Sequence, residues 1–485
     1  MTAQPTGQAP VRTLSTGRML VYASGEAATS LVINTGLGFA MFFYTQALGL
    51  SPAWAGLAMS ISVFWDAIID PVMGHVSDRT RSRWGRRHPY FLIGGVGMVV
   101  ASYFVWNVPE YFTTSQALLF GYVLALQLAV RSLFAVWIIP YTALGFEICT
   151  DYEGRTRIQG YRESLNMLSN MAGTAIAWSF FFLDQTVQRD GKDVVVKGLS
   201  QPENYHQMGL WYGGIALFFV LFVTWATRSH IVDSRNLAVS NSGLGDFFHG
   251  LREMAKDGLS KWVIGFVVVV VTGVALTATL QVYTWDHYLT AISGHWRTLT
   301  HSCSIIGLAA GAFIASAVVR LMDKRMAVIL GTVLNLVCNL LIAGLVLTGW
   351  FDRNGVFLYI AYTVLSSLYW VGHGIMVPVS TSMLADISEI ERRRTGQDRD
   401  GLYASFFAFA RKAGISAGLF LAGMSLTWIG FVEGPKVTQT PSVSWSLCAL
   451  YLFLGPAISM VGVVLMLNYP VDKRYMDDLR KRQDS

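Results

Sequence analysis

Long apolar stretches alternate with short polar connections along almost the whole chain. A membrane-spanning helix needs about 20 consecutive apolar residues, and the stretches reach that length. The pattern predicts an all-α membrane protein with twelve transmembrane helices, at residues 19–44, 51–76, 90–108, 115–143, 163–184, 207–227, 260–288, 301–320, 327–348, 356–383, 402–430 and 444–467.

Composition agrees with this pattern. The chain of 485 residues is 53% hydrophobic and only 14% charged, whereas a soluble protein has about 25% charged residues. Residues 1–16 are polar and contain no signal-peptide pattern, so we expect the N-terminal tail to be retained. The four cysteines are scattered and show neither a disulfide framework nor metal-ligand spacing. We therefore expect no structural metal and no cofactor.

Basic residues are distributed unevenly between the two sets of connections. The termini and the even-to-odd connections hold 27 of the 36 Lys and Arg residues, the opposite connections hold 6, and 3 lie within spans. Because basic residues are retained on the cytoplasmic side, both termini are predicted to be cytoplasmic. The net charge of +6 reflects this topology, and we expect no nucleic-acid partner.

The longest predicted cytoplasmic connection, 228–259, separates two groups of six spans. It contains apolar residues at helical spacing, which predict an amphipathic helix at the membrane interface or packed on the bundle. The predicted organisation is a tail (1–18), a six-helix half (19–227), this linker, a second six-helix half (260–467) and a tail (468–485). Two pseudo-symmetric six-helix halves are the arrangement of the major facilitator fold.

The most informative polar residues are Asp66 and Asp70 in the second span. Their spacing of four places both carboxylates on one helical face. An acid within a membrane span is costly and by default indicates ion or substrate handling. Pro71 has no N–H, so the carbonyl of Ala67 loses its helical donor. The pair is a candidate site for a proton or Na⁺; neutralisation by a basic residue for packing is the alternative.

The sequence from Trp65 to Gly74, with the basic stretch from Ser77 to Arg87, resembles the glycoside–pentoside–hexuronide:cation symporters, the group of the bacterial melibiose permease. Similar motifs occur from the first to the eleventh span, at Phe43-Tyr44-Thr45, Pro140-Tyr141, Asp151 to Thr156, Ala385-Asp386 and Lys412-Ala413-Gly414. The resemblance implies that Asp66 and Asp70 bind the coupling cation. It also implies that Lys412 is their charge partner; a permanent ion pair is the alternative.

Other positions depart from the family pattern. The sugar-binding acid of the first span corresponds to Ser30, and the second acid of the fourth span corresponds to Ile138. A hydroxyl and an amide of the ion site correspond to Ala135 and Ile69. Na⁺ needs several oxygen ligands, whereas a proton needs one acid of raised pKa. We therefore favour a proton over Na⁺ as the coupling ion.

Arg131 shares a helical face with these altered positions. It can form a salt bridge with Asp66, or it can bind substrate. In the second case a hexuronide is the favoured substrate. By the resemblance, Arg162 binds sugar; an anchor at the cytoplasmic end is the alternative. Hydroxyl recognition is predicted for Ser30 and Asn34, and solute binding for Trp370 and His373, with packing as the alternative for the latter pair.

Three predicted cytoplasmic loops mix acids with arginines in a way suited to an interdomain gate. The gating residues are Asp78, Arg79, Arg86, Arg87, Asp151, Arg155 and Asp386. Simple retention of basic residues on the cytoplasmic side is the alternative.

The predicted function is symport of a small polar solute, a sugar, glycoside or hexuronide, with H⁺ or Na⁺ by alternating access. Same-fold alternatives are an uncoupled facilitator and a lipid or lysolipid carrier. The histidines are dispersed and no nucleophile–base pair emerges, so an enzyme is not expected. We expect a multi-pass protein of the cytoplasmic membrane whose partners are the solute and the bilayer, and which functions as a monomer.

Overall fold

The computed structural model describes residues 14–149, 151–189, 192–231, 245, 252, 258–290, 294–349, 352, 355–396, 400–435, 437–472 and 475–476. Within these residues the chain forms twelve long helical segments. They are α1 (Thr16–Ala47), α2 (Pro52–Arg79), α3 (His88–Trp106), α4 (Gln116–Ile148), α5 (Tyr152–Ile176), α6 (Pro202–Ala226), α7 (Ser260–His287), α8 (Gly294–Met322), α9 (Lys324–Leu347), α10 (Val356–Thr395), α11 (Asp400–Trp428) and α12 (Pro441–Leu467).

Eleven of these helices are long and apolar enough to cross a membrane. The exception is α5, which begins eleven residues before the predicted span 163–184 and continues as a π-helical turn to Phe181. Its first half carries several charged residues, among them Arg155, Arg162 and Glu163, so apolarity alone misplaced its start. The all-helical prediction is confirmed, with eleven candidate membrane helices among the described residues, and α5 begins earlier than the fifth predicted span.

The first helix is irregular. It consists of α-helical turns at Thr16–Ala23, Glu26–Thr29 and Ala40–Phe42, a 3₁₀ turn at Leu37–Phe39, and π-helical segments at Ser30–Gly36 and Phe43–Ala47. π-Helical turns within α-helices are frequent at functional sites. Most of α1 is buried by the rest of the protein, but the Asn34 side chain is exposed. We infer that Asn34 faces the space between the two halves.

The connections also differ from the sequence predictions. Residues Asp78, Arg79, Arg155 and Asp386, predicted in loops, lie on helices, because α2 and α10 continue past their apolar spans and α5 begins before its own. For example, α10 runs past Asp386 and stops only where Gly396 adopts a left-handed conformation with φ of 72°. An antiparallel hairpin, β1 (Gln185–Arg189) and β2 (Lys192–Val196), follows α5. Short helices lie at Glu110–Thr113, Gly198–Ser200 and Arg228–His230.

The first six and last six helices form two halves. Within the halves, α3 packs on α4, α8 on α10, and α7 on α12; between them, α2 packs on α11 and α5 on α8. We call the end that carries both described termini the basic end, and the other the opposite end. The predicted linker helix in 228–259 lies largely outside the described residues, and the predicted domain boundaries stay a prediction.

The two halves meet closely at the opposite end. The Thr45 hydroxyl of α1 lies 2.8 Å from the Tyr283 hydroxyl of α7, and the Gly434 N–H donates to the Thr45 carbonyl at 3.0 Å. Aromatic rings of both halves pack together there, with Phe42 4.9 Å from Tyr283 between ring centroids. The Cβ of a side chain at Gly56 on α2 would lie 2.9 Å from the Cα of Gly423 on α11. This end is therefore closed.

A larger residue at this helix crossing should disturb the closure. We expect Gly56→Val to lower the thermal stability of the purified protein, because overpacking a tight crossing costs about 1–3 kcal/mol. The matched control is Gly121→Val on α4, since nothing lies within 4 Å of a Cβ at Gly121. Equal melting temperatures for the two variants in a detergent unfolding scan would contradict the close packing of α2 on α11.

Candidate ion and solute site

The two acids of α2 lie where the helix passes between the halves. Asp66 is buried, whereas Asp70 is partly accessible. They lie one turn apart, as their spacing predicts. The helix continues through Pro71, which cannot donate to the carbonyl of Ala67. The segment thus presents two carboxylates and one freed carbonyl close to one another.

Asp66 forms an ion pair with Arg131 of α4, at 2.8 Å between Oδ2 and the guanidinium. Their side chains are only 4% and 12% exposed. Beside this pair, the Trp65 indole N–H donates to the Ser132 hydroxyl at 2.9 Å, a second polar contact between α2 and α4. Of the two alternatives for Arg131, this conformation displays the salt bridge with Asp66. The pair lies within the first half.

Asp70 forms its ion pair with Lys412 of α11, through Oδ2. This pair joins the two halves, because α2 and α11 belong to different ones. The two side chains remain 26% and 24% exposed, so water reaches them. The Ser60 and Ser416 hydroxyls, 2.8 Å apart, form another polar contact along the same crossing. The acids therefore differ: Asp66 is paired within one half, and Asp70 across the halves.

Each carboxylate keeps one oxygen without a hydrogen-bond partner in the structure. These are Asp66 Oδ1 and Asp70 Oδ1, and the Nε of Arg131 is unpartnered as well. Buried polar atoms are nearly always satisfied, so such exceptions call for an explanation. Two unpartnered carboxylate oxygens one turn apart provide a place for a proton or a small cation.

A second polar cluster connects α1 with α5. Arg162 is buried and forms an ion pair with Glu26 at 2.5 Å, and its guanidinium also donates to Thr142 at 3.0 Å. The Ser30 hydroxyl is buried and donates to the Asn166 carbonyl at 3.0 Å. The Asn34 amide donates to the Asn166 side chain at 3.0 Å. In this conformation Arg162 and Ser30 hold α1 on α5, and Asn34 is the accessible member.

Trp370 and His373 of α10 lie next to each other, with ring centroids 5.6 Å apart. Both line a cavity of about 240 Å³ between α7, α10 and α11. Arg411 of α11 lines the same cavity. The sequence prediction did not include Arg411, although an arginine within an apolar span is a signal of function. These residues belong to the second half, opposite the cluster of α1 and α5.

The predicted gating residues form contacts within each half. Arg87 bridges Asp78 at 2.6 Å and Glu147 at 2.9 Å, and Arg86 bridges Glu147 at 2.8 Å. In the second half, the Asp386 carboxylate binds Lys324 at 2.6 Å.

Two further gating residues lie at the start of α5. The Asp151 carboxylate accepts hydrogen bonds from the Cys149 thiol at 3.2 Å and from the Gly154 N–H at 2.7 Å. These donors lower the pKa of Asp151 and keep it ionised as the N-cap of α5. The Nε of Arg155 donates to the Cys149 carbonyl at 3.2 Å. Both residues therefore fix the α4–α5 connection in this conformation.

Another ion pair between the halves lies at the opposite end. Asp286, near the end of α7, is fully buried and pairs with Lys197 of the α5–α6 connection at 3.2 Å. Arg297 of α8 lies 3.8 Å from the same carboxylate. Sequence reasoning missed this cluster, because Asp286 falls at the end of an apolar span where a solvated acid is equally expected.

Comparisons with known proteins agree with this architecture. The chain is 25% identical to an uncharacterized symporter of Synechocystis sp., over 96% of this chain and 95% of that protein. It is 22% identical to a glucuronide carrier protein homolog of Escherichia coli, over 96% and 94% of the two chains. The crystal structure of the nucleoside transporter NupG matches with a TM-score of 0.63 at 11% identity, over 93% of this chain and 99% of that one. At this identity the last likeness shows the fold alone.

A family model described as MFS/sugar transport protein matches residues 21–473. This covers almost the whole chain and both halves of the fold. The protein therefore belongs to the MFS/sugar transport family, the sugar and glycoside–cation symporters that its second-span motif predicts.

Proposed function

We propose that this protein is a secondary transporter that carries a sugar, glycoside or hexuronide together with a cation, by alternating access. The observation that carries the proposal is the ion pair between Asp70 and Lys412, which joins the two halves beside the buried Asp66. Both carboxylates keep an unpartnered oxygen. The names of the relatives, a symporter and a glucuronide carrier homolog, support the solute class.

Binding of the cation changes the conformation of the protein by weakening the contact between the two halves. When a proton or Na⁺ binds at Asp70, the carboxylate no longer needs the Lys412 ammonium, and the bond between α2 and α11 weakens. The halves then become free to rock about the solute. The cation shifts the equilibrium only through its different affinity for the two conformations. Asp66, paired with Arg131 within one half, keeps its guanidinium partner throughout.

A proton suits this site better than Na⁺. Arg131 and Lys412 already occupy one oxygen of each carboxylate. The remaining oxygens, with the carbonyl of Ala67, are few for Na⁺, which requires several oxygen ligands. A proton requires only one.

The solute binds between the halves. On one side lies Asn34 of α1 with the asparagines of α5, and on the other lie Trp370 and His373 of α10. Asn34 is exposed, and the neighbouring Asn166 and Asn170 are half-buried. Sugars present hydroxyl groups that need hydrogen-bond partners and apolar ring faces that stack on indoles, so the two sides are complementary to a sugar.

An uncoupled facilitator of the same fold is the second candidate. The observation in its favour is that each acid already has a cationic partner, so neither needs an added cation for charge balance. A facilitator would carry the solute down its own gradient. Coupling is the property that distinguishes the two functions.

The carboxylate of Asp70 should be necessary for accumulation but not for passage of the solute. In proteoliposomes, we expect Asp70→Asn to abolish gradient-driven uptake of hexuronides and glycosides while solute counterflow persists. The physical reason is that asparagine cannot gain or lose a cation. Glu110→Gln, on an exposed surface helix, is the matched control and should accumulate solute as the unmodified protein does. Undiminished accumulation by Asp70→Asn would refute the assignment.

The ion pair of Asp70 and Lys412 should be required for gradient-driven uptake and not only for charge balance. We expect Lys412→Gln to reduce gradient-driven uptake at least tenfold, because Asp70 loses its counter-charge. The double variant Asp70→Asn/Lys412→Gln removes both charges and should remain uncoupled. Recovery of accumulation in the double variant would show that the pair serves only to balance charge.

The coupling ion can be identified from separate gradients. We expect an imposed proton gradient, inside alkaline, to drive uptake into proteoliposomes without Na⁺. An imposed Na⁺ gradient at equal pH on both sides should have no effect. The reason is the small number of unpartnered oxygens at the acids. Uptake driven by the Na⁺ gradient alone would overturn the preference for a proton, and uptake driven by neither would favour the facilitator.

A further inference from the structure

The charged cluster at the opposite end has no role in the binding of cation or solute described above. Its centre is Asp286 of α7, whose side chain is 1% exposed. Lys197 of the first half binds its carboxylate at 3.2 Å, and Arg297 of the second half lies 3.8 Å from it. A buried carboxylate is costly unless a cation accompanies it. Asp286 therefore has a cationic partner from each half.

The base of the hairpin fixes Lys197 to the first half. The Asp184 carboxylate, just before β1, accepts a hydrogen bond from the Gly198 N–H at 2.9 Å. The Gly198 carbonyl accepts a hydrogen bond from the Asn204 amide of α6 at 2.7 Å. Gly198 also has no room for a side chain, since a Cβ there would lie 2.5 Å from the backbone of Phe182. Lys197 therefore moves together with the first half.

On the second half, the Lys197 ammonium binds the end of α7. It donates to the Asp286 carbonyl as well as to the carboxylate. Because α7 ends one residue later, at His287, the ammonium lies at a helix C-terminus, where the helix dipole favours a cation. The Lys197 side chain is 34% exposed, so water can replace these bonds when they break. One lysine thus provides several attractions between the halves, and all of them are lost if it moves away from α7.

Arg297 provides Asp286 with a second partner on its own half. The guanidinium donates to the Trp285 carbonyl at 3.2 Å, which keeps it beside the end of α7. It also lies over the Trp178 ring of the first half, 5.0 Å from the centroid. When Lys197 leaves the carboxylate, Asp286 still has a cation nearby, so the cost of an unpaired buried charge is avoided. The pair of Lys197 and Asp286 can therefore break and form again.

The centre of the cluster has more positive than negative charge. Lys197 and Arg297 both lie within 4 Å of the one carboxylate of Asp286. The His287 ring lies 3.6 Å from the same carboxylate and adds no negative charge. Asp184 acts on Arg297 from the first half, but its side chain is exposed to solvent, which screens the interaction. Without the charge of Asp286, the two cations would repel each other across the halves.

We propose that this cluster is the gate of the opposite end, with Lys197 as the residue that engages and releases. The gate holds the opposite end closed, and Lys197 must leave Asp286 each time that end opens. The hairpin of β1 and β2 carries the lysine to α7. This inference rests on the alternating access of the proposed function. It adds a contact between the halves that none of the predicted gating residues forms in this conformation.

Pulsed electron paramagnetic resonance measures the opening of this end. Spin labels are placed at Tyr111 and Val432, both exposed and in different halves, in the purified protein without its native cysteines. We expect Lys197→Gln to raise the population of longer distances at least threefold, because the bonds to α7 are lost while Arg297 still balances Asp286. Lys197→Arg keeps the charge and should leave the short distance dominant.

Neutralising the acid tests the balance of charge. We expect Asp286→Asn to raise the population of longer distances at least tenfold, because Lys197 and Arg297 then face each other without the carboxylate between them. Adding Lys197→Gln to Asp286→Asn removes one of the two cations and should return part of the population to the short distance. Asp193→Asn is the matched control and should change nothing, since this acid bonds Gln188 within the hairpin.

Three results would overturn the inference. One is an unchanged distance distribution in Lys197→Gln, which decides the question even where Asp286→Asn fails to fold. Another is an equal opening of Lys197→Arg and Lys197→Gln, and the third is a double variant as open as Asp286→Asn. The measurement needs neither solute nor gradient, so it is independent of the symport tests. If Lys197→Gln opens the protein but no gradient drives uptake, the symport proposal fails while the gate remains.

Discussion

A carboxylate within an apolar helix bundle must either hold a positive partner or take up a proton, and this electrostatic constraint underlies the whole arrangement. Asp66 and Asp70 meet it differently, although they lie on the same face of α2. Asp66 is paired with Arg131 inside the first half, so its charge is balanced in a way that rearrangement of the halves does not disturb. Asp70 is paired with Lys412 of the second half, so the balance of its charge depends on the relative position of the two halves. Protonation of Asp70 would therefore weaken the contact between α2 and α11.

The two ends of the bundle are organised differently around this contact. At the opposite end, aromatic packing, the hydrogen bond between Thr45 and Tyr283, and the ion pair between Lys197 and Asp286 all join the halves. At the basic end, the acids and arginines of the predicted gate bind within their own halves, as Arg87 does with Asp78. A conformation closed at one end, with Asp70 and Arg411 still accessible, is what a carrier that releases or binds solute from the basic end requires.

Much of this architecture could be predicted from the sequence. Apolar length predicted eleven of the twelve helices well, because burial in a membrane leaves a strong composition signal. It located α5 less well, because the first half of this helix carries Arg155 and Arg162 and is polar. The acid pair was found because charges in apolar spans are rare, and Lys412 because its motif resembles that of the symporter family. Other features depend on contacts between distant segments and could not be predicted. They are the π-helical turns of α1, the partner of Arg162 and the pair between Lys197 and Asp286. The hairpin after α5 had a signal in the sequence, the Asp190-Gly191 dipeptide. The sequence shows Arg411 as a charge within an apolar span, but it does not show which residues surround it.

The most direct test of the central claim is the distance between the halves at the opposite end. Spin labels at Tyr111 and Val432, both exposed there and in different halves, would report it by pulsed electron paramagnetic resonance in a background without the native cysteines. If the ion pair of Asp70 with Lys412 holds the halves together, Asp70→Asn will populate a longer distance that the unmodified protein reaches only on acidification. Identical distance distributions for the two proteins at every pH would contradict the account.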